Sequence, residues 1–265
     1  MPEGHTIHRL ARDLRRDLVG VAPVASSPQG RFSEGAGRLD GVEVTGTEAA
    51  GKHLFVDCAS GEHLHVHLGL IGKFRRQRPP AAEPRDSVRL RLESDSGVWD
   101  LVGPNVCELI DDDQRTSIMD RLGPDPLRRN GSVDEFVRRL SRRRIPLGVA
   151  LLNQEVIAGL GNVYRAEICW IASIDPRRPA NSLSEEEAGE IWDLSVEQLR
   201  LGERLNRIVT VDPSEFNETS ARKLGRDERL YVYKRHGQPC RRCSADIEFV
   251  DMGARSMWWC PTCQG

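Results

Sequence analysis

The sequence lacks what a membrane-spanning chain needs. No apolar stretch approaches the ~18 uninterrupted residues of a spanning helix, and only 38% of the residues are hydrophobic. Its first sixteen residues, MPEGHTIHRLARDLRR, interrupt every short apolar stretch with charge, which is not the pattern of a secretory leader. A cytoplasmic location is therefore expected. Lysine is scarce: Lys52, Lys73, Lys223 and Lys234 are the only four among 38 basic residues, the rest being arginine. This bias reads as base composition of the genome, and it makes each lysine more informative. Net charge is nearly absent too, at −2 from 38 basic and 40 acidic residues. No global field draws the chain to a polyanion, so any such affinity must come from local patches. Basic runs at Lys73-Phe74-Arg75-Arg76 and Arg142-Arg143-Arg144 are offset by acidic ones at Asp111-Asp112-Asp113 and Glu185-Glu186-Glu187. That balance permits a nucleic-acid partner without demanding one.

Internal repeats and low-complexity segments are also missing, and 265 residues exceed one small domain. The first third reads as β: Val42 to Thr47, Lys52 to Cys58, His63 to Leu68, Val88 to Glu93 and Val98 to Val102 are short, often alternate, and are bounded by Gly, Ser, Asp or Pro. This pattern predicts an antiparallel sandwich or barrel. Ahead of it, Ile7, Leu10, Leu14 and Leu18 fall at helical spacing. A breaker cluster at Gly123-Pro124-Asp125-Pro126 marks a change of texture. Beyond it, Ser132 with Glu135 predicts a capping box opening a helix, and further helices are expected near 146–155, 161–172 and 184–202. After residue 229 the texture returns to β. The fold class expected is α+β and multidomain: an N-terminal β-sandwich with a flanking helix over 1–122, a linker over 123–131, a helical domain over 132–229, and a hairpin over 230–265.

Seven cysteines in such a chain argue against a disulfide framework. Cys58, Cys107 and Cys169 are scattered and read as small buried apolar residues. The other four are organised. Cys240-Arg-Arg-Cys243 is followed, sixteen residues on, by Cys260-Pro-Thr-Cys263, the spacing of a tetrahedral thiolate zinc site on a β-hairpin. Four thiolates leave no open position for water, so one structural zinc ion is expected. His63, His65 and His67 share one face of a strand, but no carboxylate accompanies them at a ligand spacing, so alternation accounts for them.

The terminus Met-Pro-Glu-Gly is weak evidence by itself. If Met1 is removed, Pro2 exposes a secondary amine that attacks an aldehyde-level carbon, and Glu3 stands beside it to move protons. Three distant segments, PEG at the start, QEVIAGLGNVYRAEICW at 154–170, and VYKRHGQPCRRC with RSMWWCPTCQ at the end, together resemble the formamidopyrimidine-DNA glycosylase and endonuclease VIII family, in its order and across the whole chain. The resemblance implies a helix-two-turns-helix domain around AGLGN, with Gly159 and Gly161 letting the backbone approach a phosphate. It implies Pro2 as Schiff-base nucleophile, Glu3 as proton donor, and Lys52 in Gly51-Lys52-His53-Leu54 as the lysine near the active-site phosphate. His67, Asn162 and Arg255 resemble a phosphate clamp on bent DNA with the lesion flipped out. In the segment from His67 to Phe74, Leu70 with Ile71 would be the apolar wedge; packing in the sandwich core is the alternative.

Departures from the family pattern matter. The paired arginines and Phe of a formamidopyrimidine glycosylase loop are replaced by Asp100-Leu101-Val102-Gly103-Pro104-Asn105, which favours the endonuclease VIII-like branch of GC-rich bacteria and oxidised pyrimidines. His5-Thr6 stands where many relatives read Pro-Glu. Residues 212–229 are polar and are expected to be mobile or to touch DNA. The activity implied is a bifunctional base-excision glycosylase and abasic-site lyase acting by β,δ-elimination, on damaged DNA, as a nucleoid-associated bacterial monomer. DNA would lie in the cleft between the two main domains. A non-cutting DNA-damage-binding protein of the same fold is the alternative.

Overall fold

The computed structural model describes residues 2–265. It forms two compact units, the first ending at Arg121 and the second covering Leu122–Gly265.

The first unit opens with α1 (Gly4–Leu18), whose Ile7, Leu10, Leu14 and Leu18 are all buried, as their spacing predicts. Then come β1 (Val24–Ser26), α2 (Ser33–Leu39), β2 (Val44–Ala50), β3 (His53–Cys58), β4 (His63–His67), β5 (Lys73–Gln77), β6 (Val88–Ser94), β7 (Gly97–Val102), β8 (Val106–Ile110) and α3 (Asp112–Asp120). The strands make two antiparallel sheets, β2-β3-β4-β8 and β1-β6-β7-β5. Leu54, Val56, Leu64 and Val66 from one sheet and Phe74, Leu90, Leu92, Trp99 and Leu101 from the other share a single core with α1. The sandwich is thus present. Its polar ties are few and specific: Asp17 at the end of α1 accepts from Trp99 Nε1 (3.1 Å) and from Arg76. The basic run from Lys73 to Arg76 is therefore strand β5, with Phe74 turned inward against Trp99.

The second unit contains α4 (Val133–Leu140), α5 (Leu147–Ala150), α6 (Asn162–Ile171), α7 (Glu185–Leu205), β9 (Glu248–Asp251) and β10 (Ser256–Trp259). The segment 123–131, expected as a linker, packs into this unit: Gly123 N donates to Gln154 O (2.8 Å), and Asp125 is buried. Ser132 caps α4 through Glu135 N (3.2 Å), but the Glu135 carboxylate accepts from Arg138 and Arg139 rather than closing the box. Full capping boxes form instead at α3, between Asp111 and Gln114, and at α7, between Ser184 and Glu187. The helix expected over 146–155 is only the single turn α5, after which the chain makes successive turns into α6. α6 packs against α7 and β10. β9 and β10 pair antiparallel in the register Asp251↔Ser256 to Glu248↔Trp259, the two strands and turn expected between the cysteine pairs.

Candidate active site and nucleic-acid interface

In the first unit the chain enters α1 directly from Pro2 and Glu3. Glu3 is the N-cap residue, its carbonyl accepts from Thr6 N (2.9 Å), and it is fully buried. Burying an acidic side chain is costly, and such groups concentrate at functional sites. His5 is also buried, with Nε2 3.1 Å from Thr6 Oγ1. Desolvation presses its pKa down to about 3, so the imidazole is neutral.

Lys52 sits in the turn joining β2 to β3, next to a row of histidines that the sheet assembles from two strands. His53 and His67 are register partners on β3 and β4, with ring centroids 5.1 Å apart. Burial, then the neighbouring charge of Lys52, lowers the pKa of His67. His67 Nδ1 accepts from Gly69 N (3.2 Å), so its proton is on Nε2. Beyond it the chain turns sharply: Gly69 has φ +64°, and Gly72 N returns to Leu68 O (3.0 Å). A Cβ on Gly72 would lie 2.2 Å from the Leu68 carbonyl, so only glycine fits there. At the tip of this turn Leu70 is 56% and Ile71 79% exposed, and neither packs in the sandwich core. Asp100 is buried in β7 and accepts from Arg91 at 2.7 and 2.9 Å, so the connection to β8 is only the tight turn Gly103–Asn105.

In the second unit the turns before α6 are held by one side chain. Gln154 Oε1 accepts from Gly159 N (2.9 Å), and its Nε2 donates to Leu152 O (3.0 Å) and Leu160 O (2.9 Å). Gly159 adopts φ +95°; Gly161 is extended and serves as the N-cap of α6. Asn162 is therefore not a helix cap. It is 4% exposed, and its Nδ2 donates to Ser256 O (3.0 Å), leaving that nitrogen's second hydrogen for another acceptor. Arg255 lies exposed in the β9–β10 turn, whose carbonyls 252, 255 and 256 accept from the buried Arg165 guanidinium. Glu167, fully buried, accepts from the backbone N–H of Tyr231 (2.7 Å), Val232 (2.9 Å) and Tyr233 (2.8 Å) and from Thr210. Sequence reasoning assigned no role to Gln154, Arg165 or Glu167. The available signal was two charged residues inside VYRAEICW, an otherwise apolar helix.

The four sulfurs of Cys240, Cys243, Cys260 and Cys263 lie within 4.8 Å of one another. Cys243 Sγ to Cys260 Sγ is 3.5 Å and Cys240 Sγ to Cys263 Sγ 3.9 Å. A tetrahedron with metal–sulfur bonds of about 2.3 Å has edges of roughly 3.8 Å, so this set fits zinc. Backbone N–H groups of Arg242 (3.5 Å) and Cys263 (3.4 Å) point at Cys240 and Cys260 sulfurs, as a thiolate requires. Among the described residues the histidines of β4 are not part of any such ligand group.

A two-sheet sandwich, turns leading into a buried helix, and a four-cysteine hairpin define a helix-two-turns-helix zinc-finger protein of the DNA-repair glycosylase class. Residues 1–116 match the Formamidopyrimidine-DNA glycosylase N-terminal domain, 122–211 its H2TH domain, and 237–265 the zinc finger found in FPG and IleRS. The chain belongs to the formamidopyrimidine-DNA glycosylase and endonuclease VIII family. It is 41% identical to Endonuclease 8 1 of Mycobacterium tuberculosis over 268 residues, covering all of both chains. It is 30% identical to the DNA-(apurinic or apyrimidinic site) lyase Nei2 of Mycolicibacterium smegmatis, covering 100% of this chain and 99% of that one. Among solved structures it is similar to MutM in complex with carbocyclic 8-oxo-G containing DNA, at a TM-score of 0.82 and 25% identity over 99% of each chain.

Proposed function

We propose that this protein is a bifunctional DNA glycosylase and abasic-site lyase of base excision repair, with Pro2 as its nucleophile. The observation that carries this reading is the fully buried carboxylate of Glu3, fixed at the start of α1 immediately after Pro2. Pro2 nitrogen is an amide while Met1 is attached, so the activity requires its removal. The freed secondary amine then attacks C1′ of the damaged nucleotide, and the C1′–base bond breaks as the base leaves. Glu3 donates a proton to the sugar ring oxygen as the ring opens, leaving an iminium at C1′. Loss of a C2′ proton expels the 3′ phosphate, and a second elimination expels the 5′ phosphate.

Lys52 and His67 donate to the phosphates beside the lesion, the first as a cation and the second through Nε2–H. Leu70 and Ile71 fill the space left by the flipped nucleotide, a role their exposure supports. From the second unit, Asn162 Nδ2 and Arg255 donate to phosphates. One zinc ion held by Cys240, Cys243, Cys260 and Cys263 supplies structural cross-linking of the hairpin that carries Arg255. The turn Gly103–Asn105 offers no paired arginines to face the orphan base, which favours oxidised pyrimidines as substrates. The enzyme acts as a monomer.

Borohydride trapping on a duplex with an abasic site tests the lyase. Processed protein is expected to give a covalent adduct that a blocked N-terminus abolishes. In Glu3→Gln, release of an oxidised pyrimidine is expected to fall by roughly 10²-fold or more while trapping on the preformed abasic site persists. No adduct from a verified Pro2 terminus would replace this reading with a non-cutting DNA binder.

A further inference from the structure

The outward face of the β3–β4 pair carries a chain of hydrogen bonds that the catalytic reading does not use. Glu108 on β8 lies opposite His65 on β4, and its Oε1 is 2.9 Å from His65 Nδ1. His65 Nε2 is 2.9 Å from His53 Nδ1 on β3. A carboxylate only accepts, so His65 carries a proton on Nδ1. One proton lies between His65 Nε2 and His53 Nδ1, so the carboxylate of Glu108 anchors a continuous chain through both imidazoles, as carboxylate–histidine pairs do behind metal ligands.

Ring packing transmits that order to the phosphate-binding end. The hydrogen-bonded rings of His65 and His53 lie nearly coplanar, centroids 5.2 Å and planes 18° apart, and the Phe55 ring lies beside both, 5.2 Å from His65 and 6.4 Å from His53. His53 directly follows Lys52 and is the wall against which the His67 ring rests at 5.1 Å. His65 and Phe55 are buried, whereas Glu108 is half exposed. Burial, foremost, and then the neighbouring groups hold His53 near a pKa of about 3, so its own ring stays neutral beside Lys52. Packing alone does not call for two imidazoles and a carboxylate here. Leu and Phe would fill the same space without a buried polar chain that must be satisfied at every link.

We propose that Glu108, His65 and His53 are positioning residues for the phosphate contacts Lys52 and His67, holding His53 as the support against which the His67 ring rests. They touch no substrate themselves. This inference rests on the phosphate role given above to Lys52 and His67.

The test contrasts two changes at the half-exposed end of the chain, where folding is least at risk. Glu108→Gln keeps an oxygen that accepts from His65 Nδ1–H; Glu108→Leu does not. Full-length processed protein is titrated with a duplex containing a tetrahydrofuran abasic analogue, and its histidine ring nitrogens are observed by ¹⁵N NMR. Wild type is expected to show His65 protonated on Nδ1 and His67 on Nε2. Glu108→Leu is expected to lose the fixed Nδ1 proton at His65, to bind the duplex about tenfold more weakly, and to raise KM without changing kcat at saturating DNA. Glu108→Gln is expected to restore both signals. Wild-type binding by Glu108→Leu, or a His65 without a proton on Nδ1 in wild type, overturns the proposal. If wild type itself does not bind the duplex, the phosphate-contact reading fails, and the inference built on it falls with it.

Discussion

His5, buried, and His53, half-buried, are held in the neutral form, and each ties stability to pH. His5 and His53 both have folded-state pKa values near 3, chiefly because burial penalises the charged ring. Unfolded, each titrates near 6.5, so between those values the unfolded chain binds more protons than the folded one. Stability is therefore complete above pH 6.5 and declines as pH falls, by about 2 kcal/mol per residue at pH 5. Urea unfolding at pH 7 and pH 5 measures this. Replacing His5 with Gln, which keeps hydrogen-bonding atoms but does not titrate, is expected to remove its share of the slope. An unchanged slope would mean that His5 is protonated in the fold. At this scale the sequence was partly legible. His5 was visible as a departure from the family pattern, but only the packing of α1 makes it a neutral residue.

Among the elements, α6 organises the second unit. Its ten residues look like a buried apolar helix, yet Asn162, Arg165 and Glu167 each spend their polar atoms on backbone groups far away in sequence. Asn162 and Arg165 hold the turn that carries Arg255, and Glu167 gathers three successive N–H groups at Tyr231–Tyr233. Glu167→Ala strands three backbone donors and the Thr210 hydroxyl, so a loss of about 3–5 kcal/mol is expected in thermal unfolding. Hydrogen exchange should show the loosening first at Tyr231, Val232 and Tyr233. Unaltered protection there would show that those amides do not depend on the carboxylate. Three of the five helices and strands missed in the sequence have a common cause. α3 buries no side chain, β1 is three residues long, and β5 turns only Phe74 inward among charges, so none carries a full hydrophobic period, whereas α2 and β8 are short segments beside turns.

For the molecule as a whole, the hairpin at the end of the chain is the part least able to stand alone. Its two strands have four residues each, and Phe249 is 48% exposed. Zinc bound by the four cysteines would supply the cross-link that so small a sheet lacks. Purified protein is expected to hold one zinc per chain. Chelation should disorder the hairpin, read from the fluorescence of Trp258 and Trp259, and should weaken DNA binding together with it. A metal-free protein that keeps both its tryptophan environment and its affinity for DNA would remove zinc from the account.

What the sequence determined by itself is what local pattern can encode. The helical spacing of Ile7, Leu10, Leu14 and Leu18 set α1, and alternation set the main strands. The CxxC pairs at a hairpin's separation set the sulfur cluster, because each of these signals needs only neighbouring residues. Tertiary structure alone decided the rest. His63, His65 and His67 looked like a polar strand face without acids, because the acids arrive sideways: Asp57 from β3, Glu108 from β8 and Asp112 from the helix beyond. Asn162, assigned to a phosphate clamp by resemblance, also ties to a carbonyl 94 residues away, which no local pattern announces. Partners across a sheet or between a helix and a hairpin are chosen by register and packing, and one chain read end to end does not carry that information.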